Sequence, residues 1–270
     1  MFSIFFFAFL VPVGAWNLNL PLSRRQAVAT VTGYGSLLPF SQIVNAIESA
    51  PIKKVVVAGA TGQTGSRCVE KLSSAGFEVT GAVRSISKGK DKFAGLSGVN
   101  LAHLDVVSDT DSAMADTLFG ADALIIAVGF IPGNPLKFNE ASHSVDNVGT
   151  CRLIEAAKVA GVRKIVLVSS ILTNGREWGQ AKSPGFVVTN AFGNVLDEKI
   201  IAEKHLREAS GIDYTILRPG GLKSKPPSGK LKVSGEDTLN SGEISRDLVA
   251  DVAIQSLTSN SNKVLEIIEE

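Results

Sequence analysis

The chain has 270 residues and a mass of 28.4 kDa, and 44% of its residues are apolar, enough for a sizeable core and too many for a disordered protein. Its 27 Lys and Arg balance 26 Asp and Glu to a net charge of +1; the first 50 residues hold two arginines and one glutamate, so residues 51–270 are neutral. That neutrality excludes nucleic acid as the main partner, and two cysteines exclude a disulfide framework or a zinc cluster.

The N-terminus differs from the rest. Residues 1–15, MFSIFFFAFLVPVGA, form an apolar run that ends in Val13, Gly14 and Ala15, the composition of a signal-peptide core and cleavage site, and it is too short to span a bilayer. Six of the 13 phenylalanines fall in the first 50 residues, where Glu48 is the only acid and Ser, Thr, Arg24 and Arg25 follow Trp16. This basic, acid-poor stretch has transit-peptide chemistry. Residues 1–50 are thus expected to be a targeting presequence, similar to the two-part plastid presequences of algae whose plastids lie inside extra membranes. Ser23-Arg24-Arg25-Gln26 before the apolar Ala27–Phe40 also looks like a twin-arginine signal, which makes the thylakoid lumen the second destination.

From Pro51 onward, short β-branched runs alternate with amphipathic segments. Lys54–Ala58, Val79–Val83, Leu101–Leu104, Ala123–Val128, Lys164–Val168, Tyr214–Leu217 and Val264–Ile268 read as buried strands. Val148–Ala160 is expected to be a helix with Val148, Cys151, Ile154 and Ala157 on its apolar face and Gly161 at its C-terminus. The order predicts an α/β fold, a single doubly wound parallel sheet over residues 51–270.

The first strand runs into Gly59-Ala60-Thr61-Gly62-Gln63-Thr64-Gly65, which opens a helix over Gln63–Leu72. In a dinucleotide site the three glycines make a tight turn, admit the pyrophosphate to the backbone and let the helix pack closely, while the helix N-terminus offers free N–H groups. The end of the second strand carries Arg84, with Ser85 and Lys88 after it. The nearest acid, Glu78, stands at the other end of that strand. A guanidinium there suits a ribose 2′-phosphate, so NADP(H) is the expected cofactor.

Together with Ala82-Val83-Arg84-Ser85, Val145-Asp146-Asn147-Val148-Gly149-Thr150, Val168-Ser169-Ser170 and Tyr214-Thr215-Ile216-Leu217-Arg218-Pro219-Gly220-Gly221, the glycine cluster resembles an atypical short-chain dehydrogenase/reductase over residues 52–268. Within that superfamily the chain is most similar to plastid NAD(P)-binding proteins of plants and algae, which include an import-complex-associated dehydrogenase-like protein. The resemblance implies that Thr61, Gln63 and Thr64 join the three glycines around the pyrophosphate and that Asp105 and Val106 contact the adenine. It places Ala127, Val128 and Gly129 along the nicotinamide ribose, and Pro219 and Gly220 beside the nicotinamide ring.

The family's catalytic tyrosine stands four residues before a lysine that binds the ribose and lowers the tyrosine pKa. Here Lys199 is present and position 195 is Val195; Tyr34 and Tyr214 are followed four residues on by Leu38 and Arg218. Tyrosine-dependent alcohol oxidation, and sugar epimerisation with it, are therefore not expected. Lys199 is expected to bind ribose, or to assist as a donor or through a bound water, and Ser169 or Ser170 to polarise a carbonyl or to cap the strand. Gly185–Phe192 reads as a lid, a partner surface or core packing; residues 222–240, with Lys223, Lys225, Lys230 and Lys232, read as a basic loop; and His143 has no assigned role. Two functions follow: an NADPH-dependent reductase of a small apolar or conjugated molecule, or a non-catalytic NADPH-responsive regulator or assembly factor of a photosynthetic complex. Either would sit in the plastid stroma or peripherally at the thylakoid membrane.

Overall fold

The computed structural model describes residues 51–259 and 262–270; the expected presequence lies outside the described residues. The chain order is β1 (Lys54–Ala58), α1 (Gln63–Ser74), β2 (Glu78–Val83), α2 (Ile86–Lys92), β3 (Val99–His103), α3 (Asp111–Leu118), β4 (Ala123–Ile126), α4 (Phe138–Ser142) and α5 (Thr150–Ala160). It continues with β5 (Lys164–Val168), α6 (Pro184–Asn190), α7 (Val195–Glu208), β6 (Asp213–Pro219), β7 (Gly221–Lys223), β8 (Leu231–Ser234), β9 (Glu243–Ser245), α8 (Arg246–Ser256) and β10 (Lys263–Glu269). No described helix is long and apolar enough to cross a membrane.

The main sheet has the order β3-β2-β1-β4-β5-β6-β10-β8. Successive side chains on a strand point to opposite faces, and the apolar runs feed both. Val55 and Val57 join Cys68, Val69, Leu72, Val249 and Ala253 on the α1/α8 side. Val56 and Ala58 join Leu153, Ile154 and Leu206 on the α5/α7 side. Because the strands from β1 to β6 are parallel, their C-terminal ends share one edge of the sheet, where ligands of such sheets bind.

Three expectations need correction. The sheet is not wholly parallel, since β8 pairs antiparallel with β10. The supposed basic loop at 222–240 contains β8 and most of β7, and it is partly neutralised, with Lys223 3.6 Å from Glu269 and Lys232 2.5 Å from Glu270. In α5 the buried face is Leu153, Ile154, Ala156, Ala157 and Ala160; Val148 is exposed and Cys151 half-buried. Gly161 does close that helix, at φ 79°. Burial pushes the Cys68 thiol up to about 12 and that of Cys151 to about 11, so both thiols stay protonated at neutral pH.

Candidate functional site

The glycine cluster forms a tight cradle at the end of β1. Gly59 has φ +76°, and a Cβ there would lie 2.7 Å from the Ala127 carbonyl oxygen; a Cβ on Gly65 would lie 2.2 Å from that of Gly59. The third glycine therefore packs against the turn made by the first. Gly62 precedes α1 in extended backbone, with no side chain capping the helix and no acid in its first turn. The first N–H groups of α1 and the positive end of its dipole thus stay open to an anion, and the cradle fits a pyrophosphate. Thr61, Gly62 and Gln63 are exposed and Thr64 is buried. The side-chain carbonyl oxygen of Gln63 accepts from the Ser224 hydroxyl at 2.7 Å.

Arg84 follows β2 directly, exposed, and makes no hydrogen bond or ion pair with any described residue. Ser85 caps α2, accepting from the Lys88 N–H. Glu78 lies at the opposite end of β2, 3.5 Å from the Lys54 ammonium. Beyond β3, Asp105 accepts from the Val107 N–H at 3.0 Å, which shapes its loop, and Val106 packs against Gly149. The Ala127 N–H donates to Ala58, which ties the segment after β4 to the glycine turn. At the other side of the sheet, Ile171 N–H donates to the Pro219 carbonyl, and Gly220 N–H donates to Ile267.

Lys199, one turn into α7, has its ammonium 2.8 Å from an Asp146 carboxylate oxygen, and Asp146 is fully buried. The other Asp146 oxygen accepts the Phe130 N–H at 3.1 Å. Asp146 lies in a π-helical turn, His143–Gly149, that bridges α4 and α5, the kind of widening frequent at functional sites. A Cβ on Gly129 would stand 3.6 Å from Asp146 and 3.9 Å from the Lys199 nitrogen, so Gly129 lies beside the pair. A cavity of about 10 Å³, room for one water, is lined by Val128, Asp146, Ser169 and Lys199 among others. Asn147 and His143 both bond Glu198, at 2.7 and 3.0 Å.

The two serines part company. Ser169 is buried and donates to Glu203 at 2.5 Å, where Thr173 and Arg218 also bond. Its proton is committed. Ser170 is half-buried with a side chain that bonds no described residue. Val195, at the start of α7, packs against the cluster of Ile171, Leu172, Phe186 and Leu196, and Tyr214 lies at the far end of β6. Sequence reasoning missed Asp146 and Glu203 as site residues. Asp146 stands within one of the family motifs, and its signal was an acid followed closely by a glycine and a threonine that admit close packing; Glu203 had only its spacing of four from Lys199.

The chain has relatives among known proteins that share this family and fold. An uncharacterized chloroplastic protein of Arabidopsis thaliana is 46% identical over 218 residues, covering 80% of this chain and 76% of its own. Sanguinarine reductase of Eschscholzia californica is 32% identical over 240 residues, covering 75% and 83%. Among solved structures, the anaerobillin reductase ChuY of Escherichia coli O157:H7 superposes with a TM-score of 0.65 at 25% identity, covering 80% of this chain and 97% of that one. A family model described as NAD(P)H-binding matches residues 59–260, and with the glycine cradle at the C-terminal edge of a Rossmann-like sheet the chain belongs to that NAD(P)H-binding family.

Proposed function

We propose that the protein is an NADPH-dependent reductase of a small apolar or conjugated molecule, working in the plastid. One observation carries the reading: beside the cradle stands a lysine clamped by a buried carboxylate, and the position four residues before it, where the family's tyrosine would stand, is Val195. Its supports are the family, the reductase names borne by two similar proteins and the chloroplastic name of a third. When bound, the cofactor would supply a hydride, with Gly129 among the residues along its ribose and Pro219 and Gly220 beside its nicotinamide ring. Lys199 holds the ribose hydroxyls, Asp146 fixes the ammonium, and Ser170 donates to an acceptor oxygen. A non-catalytic regulator is the second reading, favoured by the commitment of the Ser169 proton to Glu203.

Arg84 selects the cofactor in this reading, as a guanidinium that has no other partner among the described residues and awaits the 2′-phosphate. NADPH is expected to bind at least tenfold tighter than NADH, about 1.4 kcal/mol. Arg84→Ala should remove most of the difference. Equal wild-type affinities by calorimetry would refute the assignment. The presequence is expected to be cleaved, so mass spectrometry of the organellar protein should find neither Met1 nor Phe2; recovery of either would refute cleavage, and protease protection inside thylakoids would favour the lumen.

A further inference from the structure

The loop between β3 and α3 is held by a residue that lies outside the family motifs. Arg152, in the first turn of α5, points its guanidinium into this loop. Nη1 donates to the Val106 carbonyl at 3.2 Å and to that of Val107 at 3.5 Å, and Nη2 donates to the Asp109 carbonyl at 2.5 Å. Nε donates to the Asp111 carboxylate at 2.7 Å, which joins the loop to the start of α3. The Asp109 carboxylate in turn accepts the Asp105 N–H at 2.8 Å and bonds His103 at 3.2 Å. Gly149 lets α5 come this close, since a Cβ there would lie 2.8 Å from the Val106 side chain.

These bonds fix the peptide planes of the loop and commit its carbonyls to α5. Two groups are left over. The Val106 N–H bonds no described residue, and neither does one oxygen of the Asp105 carboxylate, whose other oxygen accepts the Val107 N–H. A free donor and a free acceptor on adjacent residues complement an adenine edge, which offers an amino group beside a ring nitrogen. Val107, 50% exposed, adds an apolar surface for the ring. The position agrees, because β3 is the edge strand next to β2. A dinucleotide that runs from the cradle at β1 to Arg84 at the end of β2 carries its base on toward this loop.

We propose that Arg152 is the positioning residue of the adenosine subsite: its guanidinium is spent on the protein, and it sets cofactor affinity by holding residues 105–109 in the base-binding shape before the ligand arrives. A loop already ordered has no backbone entropy left to lose on binding, so its preparation is read as affinity. The inference rests on the NADPH reading and adds the device that prepares one half of that site.

The test is calorimetry of the full chain with adenosine 2′,5′-bisphosphate, the adenosine half of NADPH, and with reduced nicotinamide mononucleotide, the other half. Arg152→Met keeps a stem of similar length, and is expected to lose about tenfold in affinity for the bisphosphate and for NADPH while its mononucleotide affinity stays within about twofold of the wild type. Hydrogen exchange on the unliganded wild type needs no variant: the N–H groups of Val107 and Asp109, both bonded to Asp105, should be protected before any ligand is added. An unchanged bisphosphate affinity in Arg152→Met overturns the proposal, and so does an equal loss for the two halves, which would make the role merely structural. Val107 and Asp109 amides that exchange freely until the bisphosphate binds overturn it as well. A wild type that binds neither NADPH nor the bisphosphate overturns the cofactor reading, and this proposal with it.

Discussion

Arg218→Met is expected to destabilise the protein by about 3–5 kcal/mol, the usual cost of removing one partner from a buried ionic network. Arg218 is completely buried in β6. Its Nε and Nη2 donate to Glu203, its Nη1 to Asp237 at 2.8 Å and its Nη2 to Glu236 at 3.1 Å, while Glu266 stands 3.5 Å away. Burial works against the charge, but Glu203, Glu236 and Asp237 outweigh it and hold the guanidinium pKa above its ordinary value. Methionine fills much of the same space, so the loss is electrostatic more than steric. It strands Glu203 and Glu266, both fully buried. Glu266 meanwhile accepts the N–H groups of Asp237, Thr238 and Leu239, so the network also fastens the loop after β8 to β10. Urea denaturation should show a lower midpoint with an unchanged slope. Arg218→Met with Glu203→Leu should recover part of the loss, because the pair is then replaced and not broken. A single-variant cost below about 1 kcal/mol would show that solvent reaches the network with little hindrance, contrary to its burial.

The features legible in the sequence are those that depend on local period and on backbone. Lys54–Ala58 and Lys164–Val168 match the expected strands to the residue, because β-branched runs flanked by polar residues have no competing pattern. The glycine cradle was legible because each glycine is fixed by a backbone contact and not by a distant side chain. The α5 face differs from expectation, since residues three apart advance by about 300° and a strict three-residue stripe drifts off the buried side. The π-helical turn compounds this by shifting the register between His143 and Gly149. That shift also hid Asp146, whose partner Lys199 lies on another element 53 positions on. Leu231–Ser234 escaped because an edge strand with two half-exposed and two exposed residues lacks the apolar run of a buried one. The Glu203–Arg218 contact is a tertiary pairing of an acid and a base for which the sequence holds no local sign.

The wild-type protein is expected to show no turnover of simple secondary alcohols with NADP⁺. Removing a hydride from an alcohol requires that its hydroxyl proton leave to a base, and a positioned base of that kind is worth about 10²–10⁴ in rate. At this site Ser170 has a side-chain oxygen that bonds no described residue, but a neutral hydroxyl is too weak a base to take that proton, and the groups beside it are engaged or misplaced. Ser169 donates its hydrogen bond to Glu203, Asp146 is bound to Lys199 and the Phe130 N–H, and Val195 has no group that can accept a proton. Reduction of an electron-poor ring makes no such demand, since a proton arriving from solvent completes it. Val195 lies one helical turn before Lys199 on the same side of α7, so Val195→Tyr restores the spacing that pairs a phenol with the ammonium. The variant is expected to gain alcohol oxidation, followed as NADPH formation, while its affinity for NADPH stays close to that of the wild type. Lys199→Ala should weaken NADPH binding in both backgrounds, because ribose contacts do not depend on catalysis. Robust alcohol oxidation by the wild type would mean that another group has taken the tyrosine's part. His143, half-exposed and bonded to Glu198 on the element that carries Lys199, is then the residue to replace: if His143→Ala abolishes that activity, a histidine serves as the base and hydride transfer without a side-chain base is the wrong mechanism.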